Sequence, residues 1–283
     1  MNTKNIFDHW GTLVDISYSE FMSQPASIWR DLLIRRNLIC FRGITENLTD
    51  LEYYEFGKKF GYVWGKDDYK KPYISNGFDP TLSDHNSEIP VSYFQPNNNM
   101  FSFSEMLYHA DMPHIKELSF PGRCLYMFKN TIDGSGSTTW LNLESGWEQS
   151  TIEEKSAYDS ISIVMKDMYR VHEQHEEIPF LKKNPNTNKM SPSVNTYSAS
   201  EKSKGWINHL KKNGIDLSYK ESGDIINSVY TLIESKKDTI YRHNWVERDI
   251  IVYDNWFSLH KRDRITQIEG NQYRQLRRLT FNI

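Results

Sequence analysis

Apolar positions along the chain follow two repeats, one helical and one of strand length, and their order carries most of the expected architecture. In 26–43, ASIWRDLLIRRNLICFRG, Trp29, Leu32 and Leu33 keep helical spacing. The run Leu38-Ile39-Cys40-Phe41 that follows has the length and character of a strand and stops at Gly43. Thr49 and Asp50 open a second helical segment, LTDLEYYEFGKKFG. On it Leu51, Tyr54 and Phe60 are predicted to share a face, with Gly57 and Gly61 punctuating its end. From 62 to 104 the pattern becomes polar, aromatic and rich in turn residues (GFDPTLSDHNSEIP, QPNNN), which predicts surface loops and a candidate lid.

Strand patterns then return in SEMLYHAD, GRCLYMFKN and STTWLNL, followed by a helix near ESGWEQSTIEEKSAYDS. The stretch 183–205 reads as turn chemistry around one strand. GDIINSVYTLIESKK reads as a helix, with Ile225, Val229, Leu232 and Ile233 at helical spacing. Residues 150–240 are therefore expected to form a helical and turn-rich insertion. TIYRHNW, RDIIVYDNW and QLRRLTFNI close the chain as strands. The predicted fold class is mainly β with flanking helices (α+β), a barrel or jelly roll with helices packed outside.

A length of 283 residues suits one large β-rich domain with decorations as well as two small ones. The 34 Lys plus Arg against 37 Asp plus Glu give a net charge of −3 and no basic footprint, so nucleic acid is not an expected partner. Eight Trp and 17 Tyr supply an ordered core. The opening MNTKNIFDHWGTLVD lacks a signal-peptide core, and apolar runs such as 38–41 fall far short of the ~20 residues that span a bilayer. Cys40 and Cys124 are too few for a disulfide framework and are expected as reduced core thiols. These features predict a cytoplasmic protein without a membrane partner, and leave self-association open.

Three places carry candidate chemistry. In Leu107-Tyr108-His109-Ala110-Asp111, strand alternation turns His109 and Asp111 to one face, which makes two-thirds of a 2-His-1-carboxylate triad. In Ile250 to His260, an apolar strand ends in Asp254-Asn255, turns, and presents His260. In the last strand, period two places Arg274, Leu276, Arg278 and Thr280 on one face, and Arg277, Leu279 and Phe281 on the other. Each has a bland reading: a chance His-x-Asp, a satisfied core histidine, a basic edge strand.

Taken together, His-x-Asp, a histidine about 150 residues later and an arginine 14 beyond it resemble the Fe(II)/2-oxoglutarate dioxygenases, in particular the taurine dioxygenase-like (TauD/TfdA) superfamily. LICFRG, EYYEFGKKFG, STTWLNLESGWEQ and YRHNWVERDIIVYDNWFSLH are similar to that family's segments, from about residue 30 to the C-terminus. The resemblance implies a single Fe(II)/2-oxoglutarate dioxygenase domain over 1–283 with a jelly-roll (double-stranded β-helix) core. It implies Fe(II) on His109, Asp111 and His260, with these three as the catalytic residues. It implies 2-oxoglutarate on Arg274 with help from Thr138, O2 as the oxidant, and succinate and CO2 as co-products. Arg278 matches the position that meets an anionic substrate end in sulfonate-oxidising relatives, and Glu105 matches a polar substrate contact. Asn255 is expected to orient backbone. The substrate is expected to be a small molecule, with an anionic group at the Arg278 end, and hydroxylation is the expected outcome.

The sequence departs from the family pattern at Arg248-Asp249, where Gly-Asp is usual, and at Asn184-Pro185-Asn186-Thr187-Asn188, where His and Gly of a turn are lost. Asn188 still tolerates a left-handed backbone. Asp111 favours oxygenation, since halogenating relatives carry a small residue there. Elsewhere, His172-Glu173-Gln174-His175-Glu176-Glu177 lacks the zinc-protease spacing and reads as a charged solvated segment. His9, His85, His114, His209 and His243 carry no assigned chemistry, although His114 could orient a neighbour. GSGS at 134–137 reads as a turn before a strand, and no Gly-x-Ser-x-Gly occurs. Two other classes compete: a jelly-roll binding module without catalysis, and a cupin-type metal enzyme that does not use 2-oxoglutarate. Arg274 with Thr138 speaks against both, because neither needs a carboxylate clamp beside the metal.

Overall fold

The computed structural model describes residues 2–65, 68, 89–94, 104–111, 121–165, 177–195, 207–266 and 274–282. Two sheets form the core. The larger runs in the order Asn2–Asn5, Thr12–Asp15, Leu38–Arg42, Ile250–Asp254, Pro121–Lys129, Gln275–Asn282 and Tyr62–Val63, and Ser92–Phe94 also pairs with the last long strand. Its pairs are antiparallel except Thr12–Asp15 with Leu38–Arg42. The smaller sheet is Ile240–His243, Thr138–Asn142, Ser258–Arg262 and Met106–His109. This is a mainly β architecture with flanking helices, the jelly-roll arrangement expected from the strand pattern.

Runs such as LICF and IIVY are continuously apolar because both faces of the larger sheet are covered. Ile39, Phe41, Tyr126, Ile250, Val252, Leu279 and Phe281 pack outward with Phe21, Trp29, Phe56 and Phe60 of the helical layer. Leu38, Cys40, Leu125, Met127, Ile251, Tyr253 and Leu276 alternate with them and pack inward with Trp140 and Trp245. The outer layer is dense in rings: Phe21 stacks on Phe56 at 4.0 Å and on Trp29 at 4.7 Å between centroids. Such pairs add about 0.5–1.5 kcal/mol each beyond burial. Both cysteines are free and buried.

The helices Ala26–Arg36 and Asp50–Lys58 form as expected, the first ending at Asn37 in the left-handed conformation (φ 59°). Ser17/Glu20, Thr49/Glu52, Thr151/Glu154 and Ser218/Glu221 are reciprocal capping boxes that start four helices. The phase of Asp50–Lys58 differs from the expectation. Tyr53, Phe56 and Gly57 are buried, whereas Leu51 is 56% exposed. Two facts set that phase. The Tyr53 hydroxyl finds the Cys124 carbonyl at 2.7 Å, and Gly57 lets the helix close on the last strand, where a Cβ would sit 2.6 Å from Leu279 Cδ1.

The expectation of a helical, turn-rich insertion over 150–240 is corrected. Besides the helices Ile152–Ser156 and Tyr219–Glu234, it holds a sheet in the order Glu177–Pro179, Ile161–Met165, Ile207–Lys212, Ile215–Asp216, and a hairpin of Leu181–Lys183 with Met190–Pro192. Ile163, Met165, Phe180, Ile207, Leu210, Ile226, Val229 and Ile233 give it a core. Short strands with charged ends (INHLKK, LKK) hide their alternation from a pattern read over longer windows. Within 62–104, the described parts are edge strands of the larger sheet, and the remainder of the candidate lid lies outside the described residues. The segment His172–Glu176, His85 and His114 also lie outside them. Asn188 does adopt a left-handed backbone (φ 58°), and Arg248 does so where Gly is usual (φ 73°).

Candidate active site

The site is built where strand Met106–His109 pairs with strand Ser258–Arg262. His109 and His260 are directly opposite in that pair, with ring centroids 4.2 Å apart. His109 Nδ1 lies 2.7 Å from the Leu107 carbonyl. A carbonyl only accepts, so Nδ1 carries the proton and Nε2 presents its lone pair. That Nε2 is 3.8 Å from Asp111 Oδ1. His260 is 9% exposed, and burial, reinforced by His109, pushes its pKa down to about 3, so the ring is neutral at physiological pH. Its Nδ1 is buried without a hydrogen-bond partner, and its Nε2 is 3.5 Å from the Tyr253 hydroxyl. One ligand atom from each of His109, Asp111 and His260 lies within 4.8 Å of the others. Two imidazoles and one carboxylate, with a buried ring nitrogen unsatisfied, are a donor set that fits a divalent first-row metal.

Asp111 is held from every side. Its backbone N–H donates to Asn255 Oδ1 at 3.0 Å, and Asn255 Nδ2 donates to its carbonyl at 2.8 Å. Asn195 makes the same two-way clamp on the preceding residue, Ala110, at 3.3 and 3.2 Å. The carboxylate Oδ2 accepts from Arg123 Nε at 3.2 Å and from Arg278 Nη1 at 3.1 Å. Burial alone would raise the Asp111 pKa. The Arg278 and Arg123 guanidinium groups outweigh it and hold the carboxyl well below the usual carboxylate range.

A cavity enclosing about 510 Å³ of non-atom space, part of it open to solvent, runs from this cluster between the sheets. His109, Asp111 and His260 line it together with Thr138, Arg262, Arg274 and Arg278. Arg274 is 4% exposed, and its Nη2 donates to the Gly136 carbonyl at 3.2 Å. Gly136 is needed for this approach: its φ is +80°, and a Cβ there would sit 2.8 Å from Ile265 and 3.5 Å from Arg274 Nε. Burial, then the charge of Arg262, lowers the Arg274 pKa to about 9, and its Nε is buried without a partner. Thr138 Oγ1 accepts from Trp245 Nε1 at 2.9 Å.

Arg277 points the other way, to the Leu48 carbonyl at 2.7 Å and Asp50 at 3.2 Å. Of the residues singled out from sequence, the structure brings His109, Asp111, His260, Thr138, Arg274 and Arg278 to one cavity. Glu105 is exposed and is not among the lining residues. Arg123, Arg262 and Asn195 were not anticipated. Arg262 was within reach of sequence reasoning, because period two from His260 turns it to the same face. Arg123 was a charged residue inside an otherwise apolar strand, which is a signal for a buried ion pair. Asn195 sits in a turn-rich stretch and had no such signal.

A second trio of potential ligands, Cys40 of the larger sheet, His243 of the smaller and Asp249 just before strand Ile250–Asp254, lies elsewhere. Arg42 occupies both oxygens of Asp249 at 2.8 and 2.6 Å, and burial pushes the Cys40 thiol up to about 12. This trio is an ion-paired network and not a cation site.

The taurine catabolism dioxygenase TauD, TfdA family matches residues 2–280. The chain belongs to that family and is an enzyme of the dioxygenase class. No curated protein matches it by sequence. Among solved structures, a taurine dioxygenase from Burkholderia xenovorans aligns with a TM-score of 0.67 at 16% identity, covering 99% of this chain and 90% of that one. AAD-2, solved in complex with Mn(II) and N-oxalylglycine, aligns with a TM-score of 0.71 at 14% identity, covering 99% and 96%. PvcB, an Fe, α-ketoglutarate-dependent oxygenase from an isonitrile synthetic pathway, aligns with a TM-score of 0.68 at 14% identity, covering 100% and 92%. At such identities these structures share the fold.

Proposed function

We propose that this protein is a non-haem Fe(II)- and 2-oxoglutarate-dependent dioxygenase. It acts as a single domain on a small organic substrate, oxidising a C–H bond by hydroxylation and releasing succinate and CO2. The observation that carries this reading is one cavity with two chemically distinct ends. At one end stands a 2-His-1-carboxylate cluster. At the other stand a buried arginine and a threonine hydroxyl.

His109, Asp111 and His260 hold Fe(II), and Arg274 with Thr138 holds the distal carboxylate of 2-oxoglutarate. Bound iron and cosubstrate supply the oxidising chemistry, with O2 as the oxidant. The chain supplies placement: it fixes the His109 tautomer, keeps His260 neutral and holds Asp111 ionised. Arg278, on the cavity wall beside Asp111, suits an anionic group at the substrate end. The two buried free thiols suit a reducing compartment such as the cytoplasm, where Fe(II) persists. No helix among the described residues is long and apolar enough to cross a membrane.

The test is anaerobic addition of Fe(II) and 2-oxoglutarate to the purified protein. A weak visible charge-transfer band is expected, together with its loss in His109→Ala. Metal binding without such a band would favour a cupin-type enzyme that does not use 2-oxoglutarate, and absence of metal binding would favour a non-catalytic binding module.

A further inference from the structure

Arg262 is a buried cation that the reading above leaves without a task. It lies two residues beyond His260 on strand Ser258–Arg262, so alternation turns both toward the cavity. The pairing with strand Thr138–Asn142 sets His260 opposite Trp140 and Arg262 opposite Thr138. The Arg262–Thr138 rung therefore sits one step along from the metal cluster. Arg274, the residue before strand Gln275–Asn282 of the larger sheet, lines the same cavity.

Each guanidinium is oriented by a backbone carbonyl: Arg262 Nη2 donates to Ser104 at 2.6 Å, and Arg274 Nη2 to Gly136 at 3.2 Å. Thr138 is oriented as well. The Trp245 indole N–H only donates, so it uses a lone pair of Thr138 Oγ1 and leaves the hydroxyl proton for another acceptor. Two planar cations and one hydroxyl proton converge on one end of a cavity. Their complement is a group that only accepts and carries negative charge, and a carboxylate, with two oxygens and about four acceptor sites, is such a group.

We propose that Arg262 is a second guanidinium for the distal carboxylate of 2-oxoglutarate, which then lies between Arg262 and Arg274 with Thr138 as the third donor. This rests on the cosubstrate assignment made above. It makes Arg262 a specificity residue for dicarboxylic over monocarboxylic 2-oxo acids. Its position two residues from a metal ligand also ties cosubstrate seating to the strand that carries His260.

The experiment is calorimetric titration of the full-length protein, loaded with Mn(II), with 2-oxoglutarate and with 2-oxobutyrate, which lacks the distal carboxylate. Wild type is compared with Arg262→Gln, Arg262→Lys and Arg274→Gln. Losing a charged hydrogen-bond donor should weaken 2-oxoglutarate by roughly 10- to 100-fold in Arg262→Gln. The lysine variant should recover part of that loss, and 2-oxobutyrate should change by less than about threefold.

If Arg262 only anchors Ser104, both acids weaken by the same factor, and that result overturns the proposal. So does unchanged 2-oxoglutarate affinity in both Arg262 variants while Arg274→Gln weakens it, an outcome that leaves the cosubstrate reading intact. Wild-type protein that binds Mn(II), read by electron paramagnetic resonance, yet binds no 2-oxoglutarate would remove both. Should Arg262→Gln fail to fold by thermal melting, Arg262→Lys carries the same diacid-to-monoacid comparison.

Discussion

Asp111 faces His109 with one oxygen because two guanidinium groups take the other. Arg123 is fully buried, so its pairing with Oδ2 is a permanent part of the wall, whereas Arg278 lines the cavity and is within reach of a bound substrate. A second carboxylate, Asp249, shows the same logic without a site. It accepts the Arg42 fork and lies 3.0 Å from His243 Nε2. Burial opposes its ionisation, but Arg42 and His243 outweigh burial and lower its pKa.

An acid with a lower pKa folded than unfolded adds stability above its unfolded value, about 3.9 for Asp, and loses it as pH falls through the folded value. Asp249→Asn is therefore expected to cost about 1–3 kcal/mol near neutral pH, a cost that shrinks as pH drops below about 4. Urea midpoints of both proteins across that range check this. A cost that stays constant with pH would mean that Asp249 contributes by shape and neutral hydrogen bonding, not by charge.

At the scale of elements, the central strands Leu38–Arg42 and Ile250–Asp254 were legible because they are covered on both faces and carry unbroken apolar runs, LICF and IIVY. The last strand was legible face by face: Arg274, Leu276 and Arg278 line the cavity, and Arg277 turns away. The helix Asp50–Lys58 was legible in extent and not in phase. Tyr53, Tyr54 and Phe56 crowd one stretch, and three rings within four positions fit more than one face. The tie is broken by Gly57, a residue that contributes no hydrophobic signal.

Gly57→Ala places a methyl 2.6 Å from Leu279 Cδ1 and 3.3 Å from Val63 Cγ2, inside a packed layer. It is expected to cost about 1–3 kcal/mol by overpacking, visible as a lower melting temperature with the helical circular dichroism retained. A melting temperature at or above that of wild type would show that the layer has slack. Arg123 and Asn195 were not legible as site residues, because their roles depend on sheet register and on a clamp closed from 85 residues away.

For the molecule as a whole, the residues that line the cavity come from both sheets and from points along the chain between 106 and 278. A ligand that touches both ends links the sheets, and it binds only where they are assembled. Metal and 2-oxoglutarate together, each at about 100 times its dissociation constant, are expected to add roughly 2.7 kcal/mol apiece. That corresponds to a rise of several degrees in melting temperature. Differential scanning fluorimetry with Mn(II), with and without 2-oxoglutarate, reads this directly. If 2-oxoglutarate adds nothing beyond Mn(II), the two ends of the cavity are not bridged by it.

The twin asparagine clamps bear on how this chain could be trimmed. Asn255 grips Asp111 from the core, and Asn195 grips Ala110 from the insertion, so two consecutive peptide units are held from two independent regions. An engineer who excised the insertion as ornament would leave half of that grip empty. The backbone at Ala110 would then lose its side-chain clamp, while Asp111 kept only Asn255 on its peptide unit and Arg123 and Arg278 on its carboxylate. The insertion is scaffolding for the peptide unit beside Asp111, and a minimal version of this enzyme would have to carry a substitute for Asn195.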